Sequence, residues 1–356
     1  MKKWHAHGSA PARPRLSSPA DRSPMPRSAP FAENEYVDEH LRRSYRACRE
    51  LNARHGRTFF LATRLLAPDQ RPAIHALYGF ARRVDDILDE IDPTRDRAER
   101  AERLEMLAER FRAGDPTGDV VLPAVLHTAR AYRIPSTLFE SFLDSMRMDL
   151  TVTDYPDRHA LDRYVYGSAE VIGLQVLPVL GTVAPIEEAA PYAAALGKAF
   201  QLTNFLRDID EDLVRDRVYL PADELAAHGV DRDLLQWCRA HRRTDLRVRR
   251  ALIAQHALTR EIYSYAQGGI ALLEPRSRPC VRAALTLYSE ILDRIEALDF
   301  EVFLHRARVG VPRRVVVGAT GLAQAWRARR NTPGRERPKV FLSRWGLSYQ
   351  REDDRR

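Results

Sequence analysis

Cysteine is scarce: Cys48, Cys238 and Cys280 are the only three in 356 residues, far apart and with no CxxC pair. That excludes a disulfide framework and a structural zinc site. Lysine stands only at positions 2, 3, 198 and 339, so arginine supplies nearly all the positive charge, a compositional habit rather than a ligand requirement. Long hydrophobic runs are also missing. The longest, VIGLQVLPVLGTVA from Val171 to Ala184, is interrupted by Gln175 and Pro178 and falls short of the roughly 20 residues of a spanning helix, so no transmembrane segment is expected. Alternating β-branched runs are few, there is no GxGxxG after a strand and no repeat of fixed period, which argues against a Rossmann unit and a solenoid.

The net charge of +8 belongs to the ends: residues 1–30 carry +5 and residues 327–356 carry +6, leaving −3 for the body. A nucleic-acid binder should show a basic stripe on its folded part, so no nucleic-acid partner is expected. Residues 1–34, with six Pro in the first 30, have too little apolar surface to offset their ordering entropy and read as a disordered Pro/Ser/Arg-rich tail. After Lys2 and Lys3, the residues His5, His7, Pro11 and Arg13 occupy the place of a signal-peptide core. The expected location is therefore cytoplasmic. Residues 327–356 read as a basic, poorly ordered C-terminal tail in which Trp345 and Tyr349 could dock.

Between residues 35 and 326 apolar residues recur every three or four positions, the period of helices. Punctuation at Pro68, Pro93, Gly114, Gly118, Pro135, Pro156, Pro185, Pro221, Pro275, Pro279 and Pro312 cuts this all-α domain into about ten helices. In LYGFARRVDDILDE, Leu77–Glu90, a helical register places Phe80, Val84, Ile87, Leu88 and Ile91 on one apolar arc. Arg82, Asp85 and Asp89 fall on an adjoining stripe, with the two acids one turn apart. Like charges at this spacing cost an isolated helix about 0.2–0.5 kcal/mol, so the pair invites a cation, although a solvated acidic face also explains one such pair.

A second helix repeats the arrangement in QLTNFLRDIDEDL, Gln201–Leu213. Gln201, Asn204, Asp208 and Asp212 form one stripe, beside a core stripe of Leu202, Phe205, Leu206, Ile209 and Leu213. Amide and carboxylate oxygens are hard ligands suited to Mg²⁺ (or Mn²⁺), and no His or Cys joins either stripe to favour zinc. Two such stripes facing across a bundle, with Arg82, Arg83, Arg207, Arg215 and Arg217 nearby, would suit a diphosphate clamped through divalent ions. Ionising its C–O bond would make an allylic cation, which needs a dry, apolar, aromatic-lined cavity. Phe59, Phe60, Tyr78, Tyr164, Tyr166 and Phe205 are candidates for that lining, or for plain core. His75, His127 and His159 fit no metal or triad spacing.

The order RTFFLATRLL, LYGFARRVDDILDE, YVYGSAEVIGLQVLPVLG, QLTNFLRDIDEDLVRDRVYLP resembles the squalene/phytoene synthase family over residues 45–315. The second acid motif with its RVYLP, Arg217–Pro221, is the specific part. EPRSRPCVRAALTLYSEILDRIEALDFEVF, Glu274–Phe303, is most like bacterial phytoene synthases. The resemblance implies an all-α, single-domain isoprenoid-synthase bundle with a central apolar cavity. It implies a prenyltransferase joining two geranylgeranyl diphosphates head to head, through prephytoene diphosphate, to phytoene, the first step of carotenoid biosynthesis. Asp85, Asp89, Asp208 and Asp212 would hold the metal, assisted by Asn204 and Gln201. Thr58, Phe59 and Arg82 match diphosphate-holding positions, while Tyr164, Arg207 and Tyr219 match polar positions around the reacting carbons. Asp149 matches a cavity acid with no assigned role, and the proton acceptor is left open among the tyrosines and released diphosphate.

Thr58 replaces the usual Ser, a mild change. Glu170 stands where the family has a small residue; its carboxylate would point out of the cavity, join the metal shell or narrow the prenyl channel. The rival activity within the class is squalene, presqualene diphosphate or dehydrosqualene synthesis from farnesyl diphosphate, since chain length follows cavity depth. The rival outside it is a non-catalytic lipid-binding or assembly factor, which would be expected to have lost some metal carboxylates. A product of about forty carbons cannot diffuse through water, so peripheral association with the inner face of the membrane is expected, aided by basic tails worth about 1 kcal/mol per Lys/Arg. Oligomeric state is not legible.

Overall fold

Proline falls in the first turn of several helices, where its missing N–H leaves no hydrogen bond unmade: Pro72, Pro123, Pro279 and Pro312 each take the second helical position. Asp157, Asp231 and Asp245 cap three others, accepting from the backbone N–H of Ala160, Leu234 and Arg247 at 2.8 Å each. The computed structural model describes residues 39–88 and 97–330, which fall in one unit of the chain. Asp89, Ile91, the tail over 1–34 and residues 331–356 lie outside the described residues.

The helices run α1 (Glu39–His55), α2 (Arg57–Thr63), α3 (Arg71–Leu88), α4 (Arg97–Ala113), α5 (Leu122–Ala131), α6 (Ser136–Met148) and α7 (Arg158–Val165). A π-helical turn (Tyr166–Glu170) leads into α8 (Val171–Leu180), followed by α9 (Ile186–Arg207), α10 (Ile209–Val214), α11 (Ala222–Ala226), α12 (Arg232–His241) and α13 (Leu246–Gly268). A 3₁₀ turn (Gly269–Leu272), α14 (Arg278–Ala297) and α15 (Val311–Arg330) complete the order. Fifteen α-helices among the described residues exceed the ten suggested by punctuation, because breaks also occur without Pro or Gly, as at Asp208. Helix α15 continues four residues past the expected boundary at 326. Two isolated bridges, Asp154 with Val218 and Thr182 with Leu273, are the only β pairings among the described residues. None of the described helices is long and apolar enough to cross a membrane.

The 22-residue α9 is the axis, packed by α13, α8, α14 and the π turn. Close approach there requires glycine: a Cβ at Gly167 would lie 2.1 Å from the Ser141 carbonyl oxygen, and one at Gly173 would lie 2.2 Å from that of Ala193. The larger core cluster includes the Phe80, Phe111, Phe139 and Phe142 rings. A second, separate cluster gathers Leu66, Leu177, Leu180, Ala189, Leu273 and Cys280 at the opposite end of α9 from Asn204. A cavity lies between that cluster and Asn204.

Candidate active site

The expected single helix over Gln201–Leu213 is broken at Asp208, whose backbone (φ −106°, ψ 12°) ends α9 and opens α10. Helical hydrogen bonds still flank the break, from Asp208 N–H to Asn204 and from Asp212 N–H to Asp208, so the four-residue stripe bends without dispersing. Asp208 is gripped by two guanidinium groups. Arg207 meets it in a fork, Nε to Oδ1 at 2.7 Å and Nη2 to Oδ2 at 2.5 Å, and Arg306 reaches Oδ1 with Nη2 at 2.8 Å. Arg306 also pairs with Glu211 at 2.7 Å. Sequence reasoning missed Arg306, because nothing local marks a loop residue 98 positions away. Asp212 follows one turn on, in α10. Burial, with the Asp208 charge adding, pushes its carboxyl up to about 7 against the opposing Arg215 and Arg217.

On α3, Asp85 is half-buried. Arg82 pairs with Asp86 at 2.5 Å, and Arg83 with Asp119 at 3.2 Å, so neither is a spare anion ligand. Tyr288, also missed, stands against the Phe59 and Phe200 rings; burial pushes its hydroxyl up to about 12, Arg207 opposes, and Tyr78 and Asp208 add. Tyr78 is pushed up to about 12 by burial, with Arg82 opposing and Asp85 and Asp86 adding. Tyr288 lies on the apolar stripe of α14 with Ile291, Leu292 and Ile295, and that stripe reads as core.

The cavity, of about 280 Å³, runs from Gln201 and Asn204 along α9 to Ala189, Leu180 and Cys280. Of the six aromatic residues proposed as lining, only Phe59 lines it, 5.2 Å from the Tyr288 ring and 6.0 Å from Phe200. Phe60 stacks on His75, Phe205 stacks on Tyr219, and Tyr166 is exposed. Aliphatic and small side chains do most of the lining, since three-residue spacings cannot tell which neighbouring helix a ring will meet. Thr58 is half-buried beside Phe59 on α2.

Tyr164, Tyr219 and Asp149 come together, but in a buried cluster that does not line the cavity. Asp149 accepts from Tyr164 at 2.9 Å and from Tyr219 at 3.3 Å. Arg217 holds the group, donating to the Asp149 carbonyl at 2.6 Å and to the Tyr219 hydroxyl at 3.1 Å. Burial pushes both phenols upward, and the Asp149 charge adds to it. They are hydrogen-bond donors, not bases.

Glu170 does not line the cavity, although Ser168, Ala169 and Ile172 around it do. Its Oε1 lies 3.8 Å from Lys198, which pairs more closely with Asp162 at 2.8 Å. Burial raises the Glu170 carboxyl against the Lys198 charge. Replacing Glu170 by Gln is expected to leave turnover within a few-fold and to change stability by less than about 1 kcal/mol. A loss of activity comparable with that of Asp212→Asn would return Glu170 to the site.

Among the described residues no three His, Cys, Asp or Glu side chains gather tightly enough to form a metal nest by themselves. The oxygens present nevertheless suit a hard cation completed by waters and phosphate. Asn204 Oδ1 is buried with no hydrogen-bond partner among the described residues, and burial raises the nearby Asp212 carboxyl, so each is an oxygen that a cation would stabilise.

A family model described as squalene/phytoene synthase matches residues 52–315. Phytoene synthase 2 of Solanum lycopersicum is 36% identical over 78% of this chain and 89% of its own length. The phytoene synthase of Arthrospira platensis is 36% identical over 75% and 88%, and phytoene synthase 1 of Arabidopsis thaliana is 36% identical, the match spanning 65% of its length. Among solved structures, a dehydrosqualene synthase superposes with a TM-score of 0.71 at 23% identity, covering 80% of this chain and 96% of that one, which speaks for the fold alone. A squalene synthase from Alicyclobacillus acidocaldarius gives 0.65 at 26% identity over 74% and 97%. With the helical order, the bent acid stripe and the cavity behind it agreeing with matches over most of its length, the chain belongs to the squalene/phytoene synthase family.

Proposed function

We propose that this prenyltransferase condenses two geranylgeranyl diphosphates head to head to prephytoene diphosphate and then to phytoene. The observation that carries the reading is the apolar cavity with Gln201 and Asn204 at its polar end, Asp208 and Asp212 following them along the same stripe beyond its lining. Asp208, Asp212 and Asn204, with Asp85 and Asp89 from the first motif, would hold Mg²⁺ or Mn²⁺, which lowers the basicity of a leaving diphosphate. Arg207 and Arg306, both held on Asp208, put positive charge beside that end without a free fork. The aliphatic walls keep water from the allylic cation left behind. Capture by the second substrate's double bond forms the new C–C bond, and loss of a proton closes the cyclopropane. A second ionisation, rearrangement and proton loss then release phytoene and a second diphosphate. Because Tyr164 and Tyr219 donate to Asp149, the proton goes to released diphosphate rather than to a phenol. Thr58 and Phe59 belong to the diphosphate end of this reading, whereas Arg82 would have to leave Asp86 to reach a phosphate oxygen.

Purified protein with labelled geranylgeranyl or farnesyl diphosphate and Mg²⁺ tests it. Phytoene from the former is the expected result; turnover of farnesyl diphosphate alone would move the enzyme to the squalene-type branch, and diphosphate release from neither would leave a non-catalytic lipid binder.

The product's insolubility calls for delivery to a bilayer, and α15 has the means. Val311, Val315, Leu322 and Trp326 fall on one flank of the helix and are each more than half exposed. The helix carries five arginines and no acid, matching an anionic surface. Leu322→Asp with Trp326→Asp is expected to abolish binding to anionic vesicles while leaving turnover of detergent-dispersed substrate intact. Unchanged vesicle binding would remove this surface.

A further inference from the structure

We propose that Arg242, at the end of α12, is a positioning residue for the second acid stripe: it holds α10 and the loop of Arg306 in one arrangement, and so sets where Asp208 and Asp212 stand for a divalent cation. The inference rests on the metal-dependent reading above and adds a residue outside the site. Helix α10 has only six residues and starts from the break at Asp208, so its own hydrogen bonds fix its direction weakly. Ile209 and Leu213 bury one side of it. Asp210 falls between the two stripe acids in sequence and on the opposite side of the helical register. Arg242 donates through Nη1 to Asp210 Oδ2 at 2.9 Å, and Arg239, also on α12, approaches Oδ1 at 3.8 Å. Through Nη2 the same Arg242 guanidinium donates to the Leu304 carbonyl at 3.1 Å. Two residues on, Arg306 pairs with Asp208 at 2.8 Å and with Glu211 at 2.7 Å. One fork therefore ties α12 to α10 and to the loop that grips Asp208.

The backbone of Arg242 closes α12 in the left-handed region (φ 52°, ψ 42°), a conformation that glycine adopts without the strain an arginine carries. The strain is held where the side chain makes both of its bonds. Two residues further, the buried Thr244 donates its hydroxyl to the Phe300 carbonyl at 3.0 Å and its N–H to Glu301 at 2.9 Å. The segment 242–244 thus clasps the Arg306 loop at two points, and Arg242 is the member of the clasp that also reaches α10. The Arg242 side chain is 54% exposed and that of Asp210 25%, and a pair so placed adds little to stability. Its effect is on geometry. Mg²⁺ requires its oxygens in a near-octahedral arrangement at about 2.0–2.1 Å, so a tilt of α10 that hardly changes the fold's stability displaces Asp212 from Asp208 enough to weaken a shared ion. Neither Arg242 nor Asp210 has a part in the reaction sequence above.

The test measures Mn²⁺ binding to the full chain, from the electron paramagnetic resonance signal of the free ion, beside melting temperature and steady-state kinetics. Arg242→Gly removes the fork and suits the left-handed backbone, so it should melt within about 2 °C of wild type. Its Mn²⁺ affinity should nevertheless fall about fivefold, short of the roughly 10–100-fold that groups bonded directly to metal ligands command. The kcat should fall with it while KM stays within about twofold. Asp210→Ala should weaken Mn²⁺ binding equally, and the double variant no more than either single one, because both remove the same tie. Arg242→Lys should recover only part of the loss, since one ammonium lacks the fork that spans Asp210 and Leu304. A folded Arg242→Gly with wild-type Mn²⁺ affinity overturns the inference, whatever its melting temperature or turnover, and so do losses that add in the double variant. Wild type that binds Mn²⁺ and turns over beside an unaffected Arg242→Gly sinks the inference alone. Wild type that neither binds Mn²⁺ nor releases diphosphate sinks the metal-dependent reading and the inference with it.

Discussion

Replacing Asp212 by Asn is expected to stabilise the metal-free protein while cutting turnover by about a hundredfold or more. Burial and the neighbouring Asp208 charge raise the Asp212 carboxyl to about 7, well above its value of about 3.8 in the unfolded chain. A carboxyl raised in this way is most favourable when protonated. Its contribution to stability is complete below about pH 4 and is lost as the pH climbs through 7. Asn takes the same volume without the charge, so the variant should match wild type below about pH 4, melt slightly higher at pH 5 and about 2–4 °C higher at pH 8. Added Mg²⁺ should raise the wild-type melting temperature more at pH 8 than at pH 5, and the variant's hardly at all. Differential scanning calorimetry with and without Mg²⁺ checks all three. A variant that is less stable than wild type but fully active would mean that Asp212 is a structural acid.

The second large effect is on folding. Asp149→Ala should cost about 3–5 kcal/mol, because it leaves the Arg217 guanidinium without its carboxylate and two buried phenols without an acceptor. Asp149 is nearly buried at the end of α6, with its side chain 8% exposed. Asp149→Asn keeps one acceptor oxygen and should recover part of that loss. Arg217→Ala leaves the opposite charge unpaired and should cost a similar amount, but the double variant should cost less than the two together. Urea unfolding of the four proteins reads this directly. A loss below about 1 kcal/mol for Asp149→Ala would mean that the cluster is not a closed network.

Much of this architecture was legible along the chain. The three- and four-residue recurrence that places Phe80, Val84, Ile87 and Leu88 on one arc is matched by their burial, each 6% exposed or less. Gln201, Asn204, Asp208 and Asp212 keep to one side despite the break. Pairings were less legible. Arg82 and Arg217 sit beside acids in the sequence stripes, yet Arg82 takes Asp86 and Arg217 takes Asp149, 68 residues away. The aromatic lining failed for the same reason: a helical register says which residues share a face, not what that face meets.

Sequence alone therefore determined the helical class, the family, the residue types of the two acid stripes and the absence of a long apolar run, because local periodicity and side-chain type are properties of neighbouring residues. Only tertiary structure decided that Arg306 grips Asp208, that Tyr288 stands against Phe59 and Phe200, that Asp149 pins two tyrosines as donors, and that Gln70 and Ser277 bond to the end of α8. Each of these contacts joins segments distant along the chain. Their partners are selected by packing and by the need to satisfy every buried polar group at once, a condition no single segment carries in its own sequence.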